Sequence, residues 1–454
     1  MEVREYYLDL FKSFGNKPAI IHDNSNYTYK DLHTNIEKYF DLLRSNGISN
    51  GDIVVLISDY SFEGISLLFA LHRLETIIIP ITTQNNVEIE ERLKIIGFCK
   101  IYNARTTQIT TYDGDKHHSL IQEIIDTNQS GLVLFSSGSS GKPKAMLHNL
   151  DLLLSSFMER KEKDLVFLVF LMFDHIGGLN TLLSCVAMGA TIVIPQNRNP
   201  ITIGELIQTY KINVLPTSPT FLNLMLISNV YNLFDLRSLK LITYGTESMP
   251  EGLLNKLKIE FKGIKFLQTF GTSETGIFKS FSKSSDSTLL RFDDPNQEFK
   301  IVNEELWIKS KIQILGYLNH HMDNFTDDGW FKTGDIVKII DDNFIKIIGR
   351  KTDIINVGGE KVYPAEIESI LLALPFISEC IAFGIPNPIT GQTVGVKIVL
   401  SESLEFLIVK KQIKNICIAN LDRYKIPTKI LIADVIEHTN RFKKIRTKIN
   451  DNPF

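Results

Sequence analysis

The sequence predicts an α/β fold, with a large N-terminal domain of parallel-rich β-sheets packed with helices and a small α+β C-terminal domain. Two observations carry this prediction. In the first part of the chain, short runs rich in valine and isoleucine alternate with longer helical stretches, which is typical of parallel strands covered on both faces. From about residue 298 the strands become shorter and the turns tighter, and a smaller unit follows Gly349.

The elements of the large domain follow from its apolar runs. A helix is predicted over 63–74, between the first two strands. The run 165–173 is too short to cross a bilayer and is predicted to be a buried strand. The other predicted strands are 53–57, 77–80, 132–135, 191–195, 214–216 and 239–244, followed by 306–309 and 344–348 in the region of shorter strands.

The C-terminal unit has its own alternation of elements. Helices are predicted over 364–374 and 407–421, with strands near 381–383 and 394–400. We place the domain boundary between residues 349 and 350, which gives an N-terminal domain of 1–349 and a C-terminal domain of 350–454. About a hundred residues are enough for a small domain.

The composition excludes several classes of protein. The hydrophobic fraction of 44% and the charged fraction of 22% are ordinary for a globular enzyme of 454 residues. A net charge of −3 argues against a nucleic-acid partner. The four cysteines are far apart and suit neither a disulfide framework nor a zinc site. Since no secretion signal or membrane span is found, we expect a cytoplasmic protein.

The strongest local signal is an apolar strand that runs directly into a loop of serines and glycines. Glycines let the backbone approach an anion closely, successive N–H groups can form an anion-binding nest, and hydroxyls and a lysine add donors and charge. The loop is not a P-loop, because the spacing differs and Pro143 follows Lys142. The alternative is a flexible surface loop. The candidate phosphate-binding residues are Ser136, Ser137, Gly138, Ser139, Ser140, Gly141 and Lys144.

With this loop, the sequence resembles the adenylate-forming superfamily of acyl-CoA synthetases, peptide-synthetase adenylation domains and luciferases. The resemblance covers nearly the whole chain, beginning with the motif at 27–32, and several motifs occur in the family's order. It implies that ATP activates a carboxylic acid as acyl-AMP with release of pyrophosphate, and that the acyl group then passes to a thiol. It also implies that the small C-terminal domain is mobile.

The second motif, at 269–275, contains Phe270, Gly271, Ser273 and Glu274. The resemblance implies that Phe270 stacks near adenine, that Ser273 contacts phosphate and that Glu274 helps to hold Mg²⁺. A carboxylate beside a triphosphate would repel it unless a divalent cation lay between them. The alternative is a helix N-cap, which threonine and serine followed by glutamate also favour.

Three further motifs complete the predicted nucleotide site. The segment with Gly245, Thr246 and Glu247 aligns with the family's adenine loop, and Thr246 stands where a second glycine is frequent. Asp335 matches the aspartate that accepts hydrogen bonds from the ribose hydroxyls, and a turn aspartate is the alternative. Arg350 matches the arginine that contacts ribose and phosphate.

The C-terminal unit carries the residues that the resemblance assigns to the later chemistry. Gly358 and Gly359 match the loop that lines the pantetheine channel after domain rotation, and Thr352 replaces the usual charged hinge residue. The catalytic lysine of adenylation is placed at Lys443, with Phe442 where the family has glycine. Lys444 and, less well, Lys448 remain open, as does a merely solvated basic tail.

The acid pocket is expected beside the segment 172–178. His175 fits the family's gating residue. Asp174 matches the aspartate that grips the ammonium of amino-acid substrates, and capping of the following helix is the alternative. The predicted helix at 219–225 is apolar, which favours an acyl or aryl acid.

The expected cofactors are ATP, Mg²⁺ and coenzyme A, or the phosphopantetheine of a carrier protein. Coenzyme A is the preferred acceptor. A stand-alone enzyme that loads a separate carrier protein is the second interpretation. A catalytically silent relative that binds nucleotide or acyl groups is the third, because of the departures at Thr352 and Phe442.

Overall fold

The computed structural model describes residues 2–137, 142–341, 344–439, 442 and 444–445. The α-helices within these ranges are α1 (Val3–Phe14), α2 (Tyr29–Ser45), α3 (Phe62–Arg73), α4 (Asn86–Ile96), α5 (Ser119–Asp126), α6 (Leu150–Ser155), α7 (Ile176–Ala187), α8 (Pro200–Tyr210), α9 (Pro219–Ile227), α10 (Val230–Leu233), α11 (Glu251–Glu260), α12 (Pro364–Leu372) and α13 (Phe406–Asn420).

The strands, in chain order, are β1 (Pro18–His22), β2 (Ser25–Thr28), β3 (Ile53–Ile57), β4 (Ile77–Ile81), β5 (Cys99–Asn103), β6 (Gln108–Tyr112), β7 (Gly131–Ser137), β8 (Pro143–Asn149), β9 (Val166–Leu168), β10 (Thr191–Val193), β11 (Val214–Thr217), β12 (Leu241–Tyr244), β13 (Lys265–Gln268), β14 (Phe270–Thr272), β15 (Gly276–Phe278), β16 (Ser280–Ser282), β17 (Leu289–Phe292), β18 (Gln297–Val302), β19 (Glu305–Ser310), β20 (Gly316–Tyr317), β21 (Phe331–Asp341), β22 (Phe344–Arg350), β23 (Ile355–Val357), β24 (Glu360–Val362), β25 (Ile377–Asn387), β26 (Gly391–Leu400) and β27 (Lys429–Ile432).

Two seven-stranded sheets form most of the large N-terminal domain. One has the order β13-β12-β11-β9-β10-β1-β2 and is parallel except for the β1–β2 pair. The other has the order β20-β8-β7-β4-β3-β5-β6, with a parallel centre and antiparallel edges. An antiparallel six-stranded sheet and the β14–β15 hairpin complete this domain, which we call the large lobe.

The small lobe contains the sheet β24-β23-β26-β25, with β27 beside β26, and the helices α12 and α13. The predicted α/β fold with a large and a small domain is thus confirmed. The central strands are the best-predicted elements, because β3 and β4 bury nearly every side chain and therefore form continuous apolar runs. The run predicted as a strand at 165–173 is only partly extended, since β9 covers Val166–Leu168.

The lobes pack through α11 and α12. One apolar cluster continues from the large lobe, with Phe221 and Leu254, into the small lobe, with Ile367 and Leu371. Gly252 allows the close approach, because a Cβ atom there would lie 2.5 Å from the carbonyl oxygen of Ser369. Within the described parts of the chain, no helix combines the length and apolar character that a membrane crossing requires.

Candidate active site

A cleft of about 320 Å³ lies where the lobes meet, within the usual range for small-molecule sites. Much of its wall comes from segments that follow the carboxyl ends of the parallel strands β11, β12 and β13. In open α/β sheets this edge is where ligands bind, because the connecting loops meet there. Six of the residues proposed for the nucleotide line this cleft together: Thr246, Glu247, Phe270, Gly271, Asp335 and Arg350.

Asp335 and Arg350 are paired across the neighbouring antiparallel strands β21 and β22. The Arg350 Nε donates to Asp335 Oδ1 over 3.0 Å, and the Asp335 backbone N–H donates to Thr333 Oγ1 over 3.0 Å. Asp335 is buried, whereas the Arg350 side chain is more than half exposed. Strand pairing therefore fixes a carboxylate acceptor in the cleft wall and leaves a guanidinium at its mouth.

The loop after β12 approaches the loop after β13 very closely. A Cβ atom at Gly245 would lie 2.6 Å from Thr269 Oγ1, so a larger residue there would displace one of the loops. Thr246 has φ +70°, which is the left-handed region that favours glycine and accounts for the frequent glycine at this position. Glu247 Oε1 accepts the backbone N–H of Thr220 over 2.8 Å and so holds the loop against the start of α9.

The motif at 269–275 forms a β-hairpin, with Ser273, Glu274 and Thr275 as its turn. The alternative prediction of a helix N-cap is wrong, because the strand β15, and not a helix, follows the turn. The hydroxyl of Thr272 accepts the N–H of Thr275 within this turn. The carboxylate of Glu274 accepts the hydroxyl of Tyr317 over 2.9 Å. Burial and the neighbouring Glu274 raise the pKa of Tyr317 well above its usual value, so the phenol remains a donor.

The strand-to-loop signal lies on the hairpin of β7 and β8, where Ser136 pairs with Lys144. The ammonium of Lys144 lies 5.7 Å from the centre of the Tyr317 ring, so Lys144, Tyr317 and Glu274 form one row. Asn319 holds β8 by accepting from the Ala145 N–H and donating to the Pro143 carbonyl. The predicted phosphate-binding residues Gly138, Ser139, Ser140 and Gly141 lie outside the described residues.

Glu274 is suited to a magnesium ion that is bound mainly by a substrate. Among the described residues, no group of three or more His, Cys, Asp or Glu side chains could hold a metal alone. Mg²⁺ commonly binds through one or two carboxylates together with phosphate oxygens, so the single carboxylate of Glu274 fits an ion that a bound nucleotide also holds.

In the segment predicted to lie beside the acid pocket, the contacts of Asp174 and His175 differ from the prediction. His175, not Asp174, caps α7, because its Nδ1 accepts the N–H of Gly177 over 3.2 Å. The alternative prediction that Asp174 caps this helix is therefore wrong. Asp174 is buried and its Oδ2 lies 3.4 Å from Nη1 of Arg92, an ion pair that the sequence did not indicate. Arg92 also lies over the ring of Phe135, next to the serine–glycine loop.

The C-terminal candidates fall at different places. Gly358 and Gly359 form the tight turn between β23 and β24 with φ of +64° and +93°, and neither is among the residues that line the cleft. The preferred lysine, Lys443, lies outside the described residues. Lys444 lines the cleft, donates to the Cys380 carbonyl over 2.8 Å and lies 3.7 Å from Glu368 Oε2.

Two family models and several known proteins match the chain over most of its length. The family model described as AMP-binding enzyme matches residues 10–318, and that of the AMP-binding enzyme C-terminal domain matches residues 366–443. A long-chain-fatty-acid–CoA ligase of Mycobacterium tuberculosis is 25% identical over 472 residues, which cover 93% of this chain and 92% of that protein. A 2-succinylbenzoate–CoA ligase of Staphylococcus epidermidis is 28% identical over 470 residues, which cover 96% of this chain and 95% of that protein.

Two solved structures share the fold over nearly the full length. An anthranilate CoA ligase in complex with anthranoyl-AMP superposes with a TM-score of 0.82 at 19% identity, covering 98% of this chain and 95% of that one. The o-succinylbenzoate CoA synthetase of Bacillus subtilis in complex with its acyl-adenylate intermediate gives a TM-score of 0.76 at 20% identity, covering 99% and 98%.

Proposed function

The chain belongs to the AMP-binding enzyme family, and we propose that it is an AMP-forming acid–thiol ligase. A carboxylate oxygen of the substrate attacks the α-phosphorus of ATP, and the bond to the β-phosphate oxygen breaks to release pyrophosphate. The thiolate of coenzyme A then attacks the acyl carbon, and AMP leaves with the former carboxylate oxygen. The observation that carries this proposal is the single cleft that unites Asp335, Arg350, Thr246, Glu247 and Phe270.

The cleft residues divide between the parts of the nucleotide. Asp335 accepts the ribose hydroxyls and Arg350 contacts ribose and phosphate, while Phe270 and the loop with Gly245 and Thr246 flank the adenine. The fixed strand pairing of Asp335 with Arg350 supports these roles, because groups held in place need no reorganisation when the nucleotide binds.

The phosphate side is formed by the row of Lys144, Tyr317 and Glu274. Glu274 would hold Mg²⁺ together with phosphate oxygens, and the ion, when bound, supplies positive charge that offsets the charge of the triphosphate. Tyr317 orients the Glu274 carboxylate through its hydroxyl. Lys144 and Ser273 face the phosphate groups with the serine–glycine loop, and Asn319 keeps β8 in register beside them.

The small lobe serves both half-reactions by rotating between them. We place Lys443 at the reacting carboxylate and α-phosphate during adenylation, and the domain boundary between residues 349 and 350. Rotation about Thr352, the middle residue of the turn Lys351–Asp353 after β22, removes the lysine and brings Gly358 and Gly359 to the thiol. Lys443→Ala is expected to lower acid-dependent ATP–pyrophosphate exchange by about 10² to 10³-fold, as loss of an electrostatic stabiliser does.

The acid is an acyl or aryl acid. Arg92 already offsets the charge of the buried Asp174 carboxylate by pairing with its Oδ2, which disfavours a second cation there such as the ammonium group of an amino acid, while Oδ1 has no hydrogen-bond partner among the described residues. Exchange of radiolabelled pyrophosphate into ATP, measured over fatty, aryl, hydroxy and amino acids, tests this. We expect exchange with fatty or aryl acids, and Asp174→Ala should retain it. Exchange with amino acids alone, abolished by Asp174→Ala, would contradict the proposed substrate class.

The acceptor is free coenzyme A. The experiment adds coenzyme A, or a phosphopantetheinylated carrier protein, to the acid that supports exchange and follows thioester formation by mass spectrometry. Formation of the coenzyme A thioester is expected. If the acyl group is transferred only to the carrier protein, the carrier protein and not free coenzyme A is the acceptor. Nucleotide binding without exchange over the whole panel would favour the silent relative.

A further inference from the structure

Phe442, in the C-terminal segment, contacts the large lobe. Its ring centre lies 5.1 Å from the ring centres of both Phe170 and Phe221, which are fully buried side chains of the large lobe. Its carbonyl oxygen accepts the hydroxyl of Ser218 over 3.2 Å, next to the start of α9. Residue 442 is therefore attached to the large lobe by both an aromatic cluster and a hydrogen bond.

Lys444, two residues later, contacts the small lobe instead. Its ammonium donates to the carbonyl of Cys380 on β25 and lies near the carboxylate of Glu368 on α12, which is almost completely buried. Lys444 also forms an isolated β-bridge with His438, whose ring lies 3.0 Å from Glu379. All these partners of Lys444 belong to the small lobe, so rotation of that lobe does not require these contacts to break.

We infer that Phe442 is a positioning residue whose contacts with the large lobe hold the small lobe in the adenylation orientation. We call these contacts, which must break when the small lobe rotates, the anchor. This inference rests on the proposed function. Phe442 contacts the large lobe and Lys444 contacts the small lobe, and these two residues flank position 443, where the catalytic lysine is proposed. Rotation of the small lobe requires the Phe442 ring to leave the Phe170–Phe221 cluster, whereas the contacts of Lys444 persist.

The backbone at residue 442 supports a dedicated role for the ring. Phe442 has φ +52°, a left-handed conformation that a large side chain rarely adopts. A glycine would relieve this backbone conformation but would lose the aromatic contact. Replacement by glycine therefore removes the ring contacts without adding a new backbone conflict.

The test compares the two half-reactions in Phe442→Gly and in the control Phe406→Ala, a half-exposed phenylalanine at the start of α13. The anchor predicts at least a tenfold loss of ATP–pyrophosphate exchange in Phe442→Gly, with unchanged or faster thioester formation from preformed acyl-adenylate and coenzyme A. The control should retain both rates. Equal loss in both half-reactions, or no loss in either, would overturn the inference.

A distance measurement separates this inference from the proposed function. The four native cysteines are buried, so spin labels at Lys12→Cys and Lys411→Cys report the distance between the lobes. With a non-hydrolysable ATP analogue, we expect a broader distribution in Phe442→Gly than in the otherwise identical parent. If the distribution is broader in Phe442→Gly but the parent protein shows no ATP–pyrophosphate exchange, the role of Phe442 is supported and the proposed function fails. Identical distributions would refute the anchor even in an active enzyme.

Discussion

Asp335 lies directly opposite Arg350 on the neighbouring strand, so one backbone pairing positions both groups in the cleft. The two groups differ in exposure. Arg350 reaches solvent, whereas the buried Asp335 is held by Arg350 and by Thr333 of β21. The two residues are 15 positions apart in the sequence, yet their side chains form a direct hydrogen bond.

Asp335→Asn is expected to weaken ATP and AMP binding by roughly 10- to 100-fold, since hydrogen bonds to a charged acceptor contribute about 1.5–3 kcal/mol. Calorimetric titration with AMP measures this. Asp341→Asn is the control, because Asp341 lies on the same strand in an exposed ion pair with Lys283. Equal affinities of wild type and Asp335→Asn would contradict the ribose assignment.

Thr246 tests the conformation of the adenine loop. At φ +70°, alanine keeps the unfavourable left-handed backbone and glycine removes it. Thr246→Gly should therefore be more stable than Thr246→Ala by about 1 kcal/mol, as measured by urea denaturation. If Thr246→Ala were the more stable of the two, it would contradict the left-handed backbone conformation assigned to residue 246.

At the residue level, the motifs identified six residues that line the cleft, but not which neighbours would hold the predicted site residues. Tyr317 and Arg92 contact Glu274 and Asp174 from 43 and 82 residues away, and no local pattern marks such partners. The sequence also did not show that His175 rather than Asp174 caps α7, or that Arg92 pairs with Asp174.

Among the elements, the contact of α11 with α12 decides how closely the lobes approach. Lys256 of α11 donates to the Leu374 and Ile377 carbonyls beyond α12, and burial lowers the pKa of Lys256. Asn223 of α9 reaches the Ser378 carbonyl over 2.8 Å. The small lobe is therefore held by polar contacts to its backbone in addition to apolar packing.

Gly252→Ala is expected to separate these two helices, because the added methyl group would lie 2.5 Å from the Ser369 carbonyl oxygen. Overpacking of this kind costs about 1–3 kcal/mol, and denaturation of the purified variant measures it. Asn255→Ala on the exposed face of α11 is the control. Unchanged stability of Gly252→Ala would show that the helices approach less closely than described here.

Strands were predictable where both of their faces are covered. The apolar runs of β3 and β4 match the observed bounds to within one residue. The edge strand β6 has mostly exposed polar residues, and β18 exposes Glu298 and Phe299, so neither forms a continuous apolar run. The β14–β15 hairpin was missed because its turn also resembles a helix start.

For the whole molecule, we expect the stability to depend on pH through a buried histidine. His148 on β8 is buried, and among the described residues neither ring nitrogen has a hydrogen-bond partner. Burial lowers the pKa of His148 to about 4. Below pH 6.5 the unfolded chain binds a proton that the folded chain does not, so stability is lost as the pH falls from about 6.5 to 4.

His148→Leu should reduce this acid sensitivity. The difference in pKa corresponds to about 3 kcal/mol, so between pH 7 and pH 4 the wild type should lose about that much more unfolding free energy than the variant. Urea denaturation across this range measures both proteins, and their difference cancels the contribution of other groups. Parallel curves would contradict a neutral, buried His148.

The small lobe was predictable from the motif that begins at Gly349 and from the alternation of elements after it, but the fit between the lobes was not. The change to shorter strands near residue 298 lies within the six-stranded sheet of the large lobe. The pattern of Ile367 and Leu371 shows that one face of α12 is covered, without showing that Gly252 admits the helix so closely. The boundary between residues 349 and 350 remains a prediction. Its best support is that β22 ends at Arg350 and a short turn leads into the small lobe.

Oxygen tracing tests the central claim, adenylation of a carboxylic acid, most directly. With an acid labelled by ¹⁸O in its carboxylate, ATP, Mg²⁺ and coenzyme A, mass spectrometry locates the label after turnover. We predict one ¹⁸O atom in AMP for each thioester formed and none in pyrophosphate, because the carboxylate oxygen attacks the α-phosphorus and remains there. Label in inorganic phosphate, with ADP as the nucleotide product, would contradict an acyl-adenylate and the function proposed for this cleft.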